Sequence, residues 1–202
     1  LERLVGERNA AFVALHALGD DRFATADLFG KLVNIGGDLD DTEIKNTGTF
    51  KSLTGDDYVR ADVKYGRPMR FRSGATCWFA ANEIPPSRDH SDAWRGRWVV
   101  LPFTTPPAKA DFGLKRKLTT RDEMEGLFRH AVEGAAQVLA RGDFDPPAAV
   151  QQAHDQFVLR TDQIQAFLAH AGAIFKGATH RDQLWSTYQA WAEAEGHRPV
   201  KR

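Results

Sequence analysis

Four groups of side chains carry the residue types that phosphate chemistry requires. The apolar run Lys31–Ile35 passes through Gly36 and Gly37 into Asp38, Leu39, Asp40 and Asp41, which sets carboxylates just beyond a buried strand. In open α/β sheets that edge is where ligands bind. A carboxylate there can hold magnesium through its waters, and a second can orient the water that attacks a phosphate. The run Thr76–Ala81 ends the same way, in Asn82 and Glu83 followed by Ile84, Pro85 and Pro86. An amide at that position could touch a terminal phosphate and the attacking water. Arg95 and Arg97 precede the run Trp98–Phe103, and an arginine there could lend its planar fork to a phosphate bound by a neighbouring subunit. Finally, Arg60, Lys64, Arg67, Arg70 and Arg72 face the single Asp62 in one short stretch, a density of charge that can follow a phosphate backbone without reading sequence.

Each group also has a plainer use. Asp40 or Asp41 could cap a following helix, Asn82 could serve its turn, and the arginines could form surface ion pairs. The basic stretch could defend an exposed sheet edge.

The elements needed to position these groups are those of an α/β protein. Residues 31–35, 76–81 and 98–103 are nearly continuous apolar runs, which predicts strands covered on both faces. Between the first two, Val59, Ala61, Val63 and Tyr65 alternate with Arg60, Asp62 and Lys64. Gly66, Arg67 and Pro68 then make a turn, and Met69 and Phe71 alternate with Arg70 and Arg72. That pattern predicts a hairpin with one basic face. Thr120 and Glu123 have capping-box spacing, and the apolar positions from Met124 to Leu139 recur at helical intervals before Gly142, which predicts a long amphipathic helix closing a first domain. Residues 142–147 (GDFDPP) read as a linker. Beyond them Thr161 and Thr179 are expected to cap two short helices of a helical or winged-helix module. At the other end, Leu1, Leu4 and Val5 share one face of an expected helix. The expected division is 1–145 and 146–202.

Bulk properties narrow the classes. The formal net charge is zero, so any nucleic-acid surface must be a local stripe. Cys77 is the only cysteine, which rules out an internal disulfide and a thiolate zinc cage and favours a reducing, cytoplasmic home. The seven histidines, at 16, 90, 130, 154, 170, 180 and 197, lack the helical pairing of a metal site. Cys77 is expected to be inert packing, and Trp185 and Trp191 to be core. No apolar run approaches the roughly 18 to 20 residues of a membrane span.

Taken in order, RFATADLFGKLVNIGGDLDD, FKSLTGDDYVRADVKYGRPMRF and CWFAANEIPPSRDHSDAWRGRWVVLPF resemble the superfamily 3 helicase domain of phage and plasmid primase-helicases, with the poxvirus-type primase-helicases as relatives. The resemblance covers roughly residues 20 to 105 and rests on the four residue groups, carried by these three runs, falling in one order. It implies a modified AAA+ P-loop ATPase core with an inserted basic hairpin. Asp38 and Asp40 would form the Walker B pair, Asp38 holding magnesium. Asn82 would sense the terminal phosphate. Arg97 would be the arginine finger, though relatives often carry two adjacent arginines where this chain has Arg95-Gly96-Arg97. Lys64 would contact DNA, with Arg60, Tyr65 and Arg67 beside it.

From the same resemblance follow the expected cofactors, ATP and Mg2+, and the expected partners: single-stranded or forked DNA, further copies of the chain in a ring, commonly a hexamer, and a primase region upstream in the same polypeptide. The expected setting is the cytoplasm of a bacterial host. Residues after about 161 resemble, over a shorter stretch, the module that follows the motor. The chain departs from the family in having no GxxxxGK[ST] phosphate loop, an element expected just before Leu1, so the 202 residues alone are expected to turn over little or no ATP. Two other readings compete: a DNA-binding protein without enzymatic activity, and a P-loop ATPase that acts on protein.

Overall fold

The structure, a computed structural model, describes residues 1–40, 42–87, 89–175, 177–196 and 199–200. It is a mixed α/β chain built around a small parallel sheet. Helix α1 (Glu2–Val5) leads to strand β1 (Ala10–Ala11), then α2 (Leu15–Asp20), a 3-10 turn (Ala24–Leu28) and β2 (Val33–Leu39). Helix α3 (Gly48–Leu53), the hairpin β3 (Tyr58–Ala61) and β4 (Met69–Arg72), and β5 (Thr76–Ala81) follow. The rest is helical: α4 (Asp92–Arg95), α5 (Leu114–Lys117), α6 (Arg121–Arg141), α7 (Ala148–Thr161), α8 (Gln163–Ile174) and α9 (Arg181–Ala194).

The sheet runs β1-β2-β5, with both pairings parallel. Parallel neighbours need a crossover between them, and here the β2-to-β5 crossover consists of α3 and the hairpin. β1 is two residues long, and a buried side chain carries the pairing further. Val13 N–H donates to Asn34 Oδ1 at 2.8 Å, and Asn34 Nδ2 donates to the Val13 carbonyl at 2.9 Å. Asn34 is fully buried, so these two bonds meet the need of a buried amide for partners. Gly36 is required where it stands, because a Cβ there would come within 2.3 Å of the Phe79 ring.

One face of the sheet, with Leu39, Cys77 and Phe79, packs on the main core, which includes Leu15, Leu18, Leu28, Ile44, Phe50, Leu53, Val59, Phe71 and Trp94. The hairpin contributes Val59, Ala61 and Phe71 to this core and turns Arg60, Arg70 and Arg72 outward, the alternation its sequence requires. A second core joins α8 to α9 through Phe167, Ala171, Tyr188 and Ala192, with Trp185 and Trp191 packed against it.

Several expectations need correction. Residues 98–103 form no strand, and Val99, Leu101 and Phe103 are exposed. An apolar run becomes a strand only where a neighbour accepts its ladder, and instead Trp98 turns into an aromatic cluster, stacking on Phe50 at 5.1 Å and meeting Trp94 edge-on at 5.2 Å. β5 is the edge of its sheet and Trp78 is 42% exposed, so this strand is not covered on both faces. The first run begins its strand at Val33 rather than Lys31 and continues to Leu39. The hairpin alternation stops at Ala61: Val63 and Tyr65 lie in the turn, and Tyr65 has a positive φ of 61°.

Helix α6 has the expected ends, with the Thr120 hydroxyl accepting from Glu123 N–H at 3.5 Å and Gly142 in the left-handed conformation at φ 78°. Its apolar stripe, however, contains no buried residue. Thr161 does not cap α8; Asp162 does, accepting from Ile164 N–H at 2.9 Å and Gln165 N–H at 3.2 Å. The cap of α9 is His180 rather than Thr179. Among the described residues no helix is long and apolar enough to cross a membrane.

Candidate functional site

Parallel pairing brings the first two groups of candidate residues together. The β2–β5 register runs Val33↔Thr76 to Gly36↔Phe79, slips by one residue at Gly37, and resumes as Asp38↔Ala80 and Leu39↔Ala81. The slip is a bulge, which re-aims the residues after it. Asp40 and Asn82 are the residues that follow the last paired positions, Leu39 and Ala81, at the carboxyl end of the sheet. Because side chains alternate along a strand, Asp38 falls on the same face as Ala80 and opposite the core-facing Leu39. Asp38, Asp40 and Asn82 are all exposed.

The loops beyond these strands are fastened to each other. Ile44 and Ser87 form an isolated parallel bridge, and Ile44 N–H donates to the Pro86 carbonyl at 2.8 Å. One residue turn further, Asp89 accepts from Lys51 Nζ at 2.6 Å, from Thr47 Oγ1 at 2.5 Å and from Ser91 Oγ at 2.6 Å. Burial alone would raise the Asp89 carboxyl, but the bonds from Lys51, Ser91 and Thr47 outweigh it and hold the group far below the usual carboxylate range. Sequence reasoning missed this clasp. Its only local signal is the Asp89-to-Ser91 spacing, which suits an Asx turn.

Asp40 does not cap a helix. Its Oδ1 accepts from Thr42 N–H at 2.9 Å, and α3 starts later, at Gly48. Thr42 lowers its pKa, through hydroxyl and then backbone, with a smaller contribution from His16, whose Nε2 lies 3.7 Å away. Asp41 lies outside the described residues, as does His197.

The two arginines differ in their surroundings. Arg95 is 15% exposed and bonds to Asp92 at 2.6 Å and Asp162 at 2.5 Å. Arg97 donates to the Ala93 carbonyl, its Nε is buried with no partner among the described residues, and its guanidinium lies against Gly55. An unpaired buried guanidinium nitrogen is costly.

The hairpin places Arg60 directly opposite Arg70. At its turn Tyr65 is 99% exposed, with Lys64 Nζ 5.4 Å from its ring centroid. Arg67 is exposed beside them, while Arg60 and Arg72 make the ion pairs Arg60–Asp62 at 3.4 Å and Arg72–Asp56 at 3.3 Å. Like charges opposed across a pair are unfavourable by themselves; a bound polyanion would relieve them.

The donors at the sheet edge are hard oxygens, which suits magnesium held by one or two carboxylates and its own waters. Among the described residues no group of three or more histidine, cysteine, aspartate or glutamate side chains could enclose a metal. Among these residues Asp38 would hold such an ion together with its waters. No stretch of the 202 residues is a glycine-rich phosphate loop.

The chain is thus an α/β protein with acidic and amide residues at the carboxyl ends of two neighbouring parallel strands. Residues 1–97 match DUF5906, a family of unknown function. The match takes in both longer strands, the hairpin, Asn82 and both arginines, and omits α5 to α9. No curated protein matches the chain.

Proposed function

We propose that this chain is the magnesium, sensor and DNA-contact part of a superfamily 3 helicase motor, from a phage, prophage or plasmid primase-helicase. The observation that supports the reading is the parallel β2–β5 pairing, which makes neighbours of the two strands that lead into Asp40 and Asn82 and pairs Asp38 with Ala80. The basic hairpin sits in the crossover between those same two strands, so a change at the strand ends has a short route to it.

In this reading the core is a P-loop ATPase of AAA+ type. Asp38 holds magnesium through water, Asp40 helps polarise the attacking water, and Asn82 contacts the terminal phosphate. Magnesium would draw charge from the phosphates when bound. Arg97 completes the site of a neighbouring copy in a ring, commonly a hexamer. Arg95 is the poorer finger because Asp92 and Asp162 already occupy its fork. Lys64, Arg67 and Arg60 grip the DNA backbone, and Tyr65 offers a ring to a base. Helices α7 to α9 belong to a helical or winged-helix module, and a primase region lies upstream in the polypeptide.

A second reading has one observation in its favour. With no phosphate loop in these residues, the hairpin could serve a DNA-binding protein that hydrolyses nothing. Two substitutions in the full-length polypeptide separate the readings. Asp38→Asn is expected to abolish ATP turnover and leave single-stranded DNA binding intact, whereas Lys64→Ala is expected to weaken DNA binding and its stimulation of turnover. A binder would be indifferent to Asp38→Asn in every assay. A P-loop ATPase acting on protein would be indifferent to Lys64→Ala.

A further inference from the structure

We propose that the segment around α5 is a second contact surface for single-stranded nucleic acid, separate from the hairpin. It rests on the nucleic-acid reading of the hairpin but uses other residues. Residues 109–121 carry Lys109, Lys115, Arg116, Lys117 and Arg121 against the single Asp111. The chain as a whole is neutral, so this is a strong local excess.

The geometry gathers part of that charge with an aromatic ring. An open groove of about 500 Å3 is lined by Arg3, Phe112, Lys115, Arg116, Thr119 and Thr120. Arg3 is drawn in from α1, its Nη1 donating to the Thr119 carbonyl at 3.4 Å. Lys117 is neutralised by Asp111 at 2.7 Å, and Arg121 by Glu125 at 2.7 Å. Lys115 and Arg116 make no ion pair with any described residue and remain available to phosphate. Glu2, Asp122 and Glu123 stand in the first turns of the flanking helices and bound the basic patch.

Phe112 is fully exposed and shares the lining of the groove with these cations. Phe103, 94% exposed, precedes it in the same irregular segment. Cations that take phosphates beside a ring that can stack on a base are what sequence-tolerant single-strand binding uses. Paired bases would not offer their faces to such a ring, so the surface favours single strands over duplex.

The test is fluorescence anisotropy of a labelled thymidine 20-mer with the whole chain over a range of salt. It compares wild type with Lys115→Glu/Arg116→Glu, Phe112→Ala and, as the hairpin control, Lys64→Glu/Arg67→Glu. All these side chains are exposed, and circular dichroism checks that each variant folds. The charge reversal is expected to weaken binding at least about tenfold and to lower the slope of log K against log salt by about 1 to 2. Phe112→Ala is expected to cost roughly fivefold or more with the slope unchanged. A 20-mer containing bromodeoxyuridine should cross-link to the peptide holding Phe112. If hairpin reversal abolishes binding while the α5 variants stay within about twofold of wild type, the second surface is refuted and the hairpin reading stands. Wild type that binds no oligonucleotide at low salt refutes both.

Discussion

Arg95 and Asp162 form an ion pair at 2.5 Å with side chains only 15% and 8% exposed. The pair ties the end of α4, next to the candidate finger, to the start of α8, where Asp162 also caps the helix. Removing one member of such a pair strands the other without its counter-charge. Asp162→Asn keeps the capping oxygen and removes the charge, so it isolates the ion pair. It should destabilise the fold by about 3 kcal/mol in urea unfolding, and Asp162→Asn combined with Arg95→Met should recover part of that loss.

The clasp at Asp89 sets a pH dependence. The carboxyl is depressed in the folded protein, so its contribution is complete above the unfolded value of about 3.9. As pH falls from there towards the lower folded value, the unfolded state takes up the proton first and the contribution is lost. Asp89→Asn should therefore destabilise by about 2 kcal/mol at pH 7 and flatten the acid limb of the stability profile below about pH 4. A variant profile parallel to that of wild type below pH 4 would contradict the assignment.

Asn34 stands in for a missing piece of ladder between β1 and β2. Asn34→Leu fills similar space but leaves the Val13 N–H and carbonyl buried without partners. The expected cost is about 3 kcal/mol, from two unsatisfied groups at roughly 1 to 3 kcal/mol each. Thermal and urea unfolding both measure it.

Burial pushes the Cys77 thiol up to about 11, against a smaller opposing effect of its bond with Asn34. Thiolate is the reactive form. Iodoacetamide at pH 8 should modify native protein far more slowly than protein in urea, and equal rates would contradict the packing described for β5.

How much of this could be read from the chain differs from element to element. The hairpin was legible because Val59, Ala61 and Phe71 alternate with Arg60, Arg70 and Arg72, a period that only a strand with one buried face satisfies. The ends of α6 were legible because Thr120 and Gly142 are local signals. Its burial was not, since an apolar stripe says that a face can be covered and not what covers it. Residues 98–103 failed for the same reason: strand composition without an accepting edge leaves an exposed run. Asp38, Asp40 and Asn82 were singled out one strand at a time. That their strands are neighbours depends on the register and on the slip at Gly37, which no local pattern encodes. Asp89 and Asp162 escaped because their partners, Lys51 and Arg95, lie 38 and 67 residues away.

As proposed, the sheet edge at Asp38, Asp40 and Asn82 serves a DNA-driven nucleotide motor. The direct measurement is steady-state ATP hydrolysis by the full-length polypeptide, with and without magnesium and single-stranded DNA. Magnesium-dependent turnover that rises when single-stranded DNA is added is expected, with little or none from residues 1–202 alone. Tight DNA binding by the full-length polypeptide with no turnover at any magnesium concentration would contradict it.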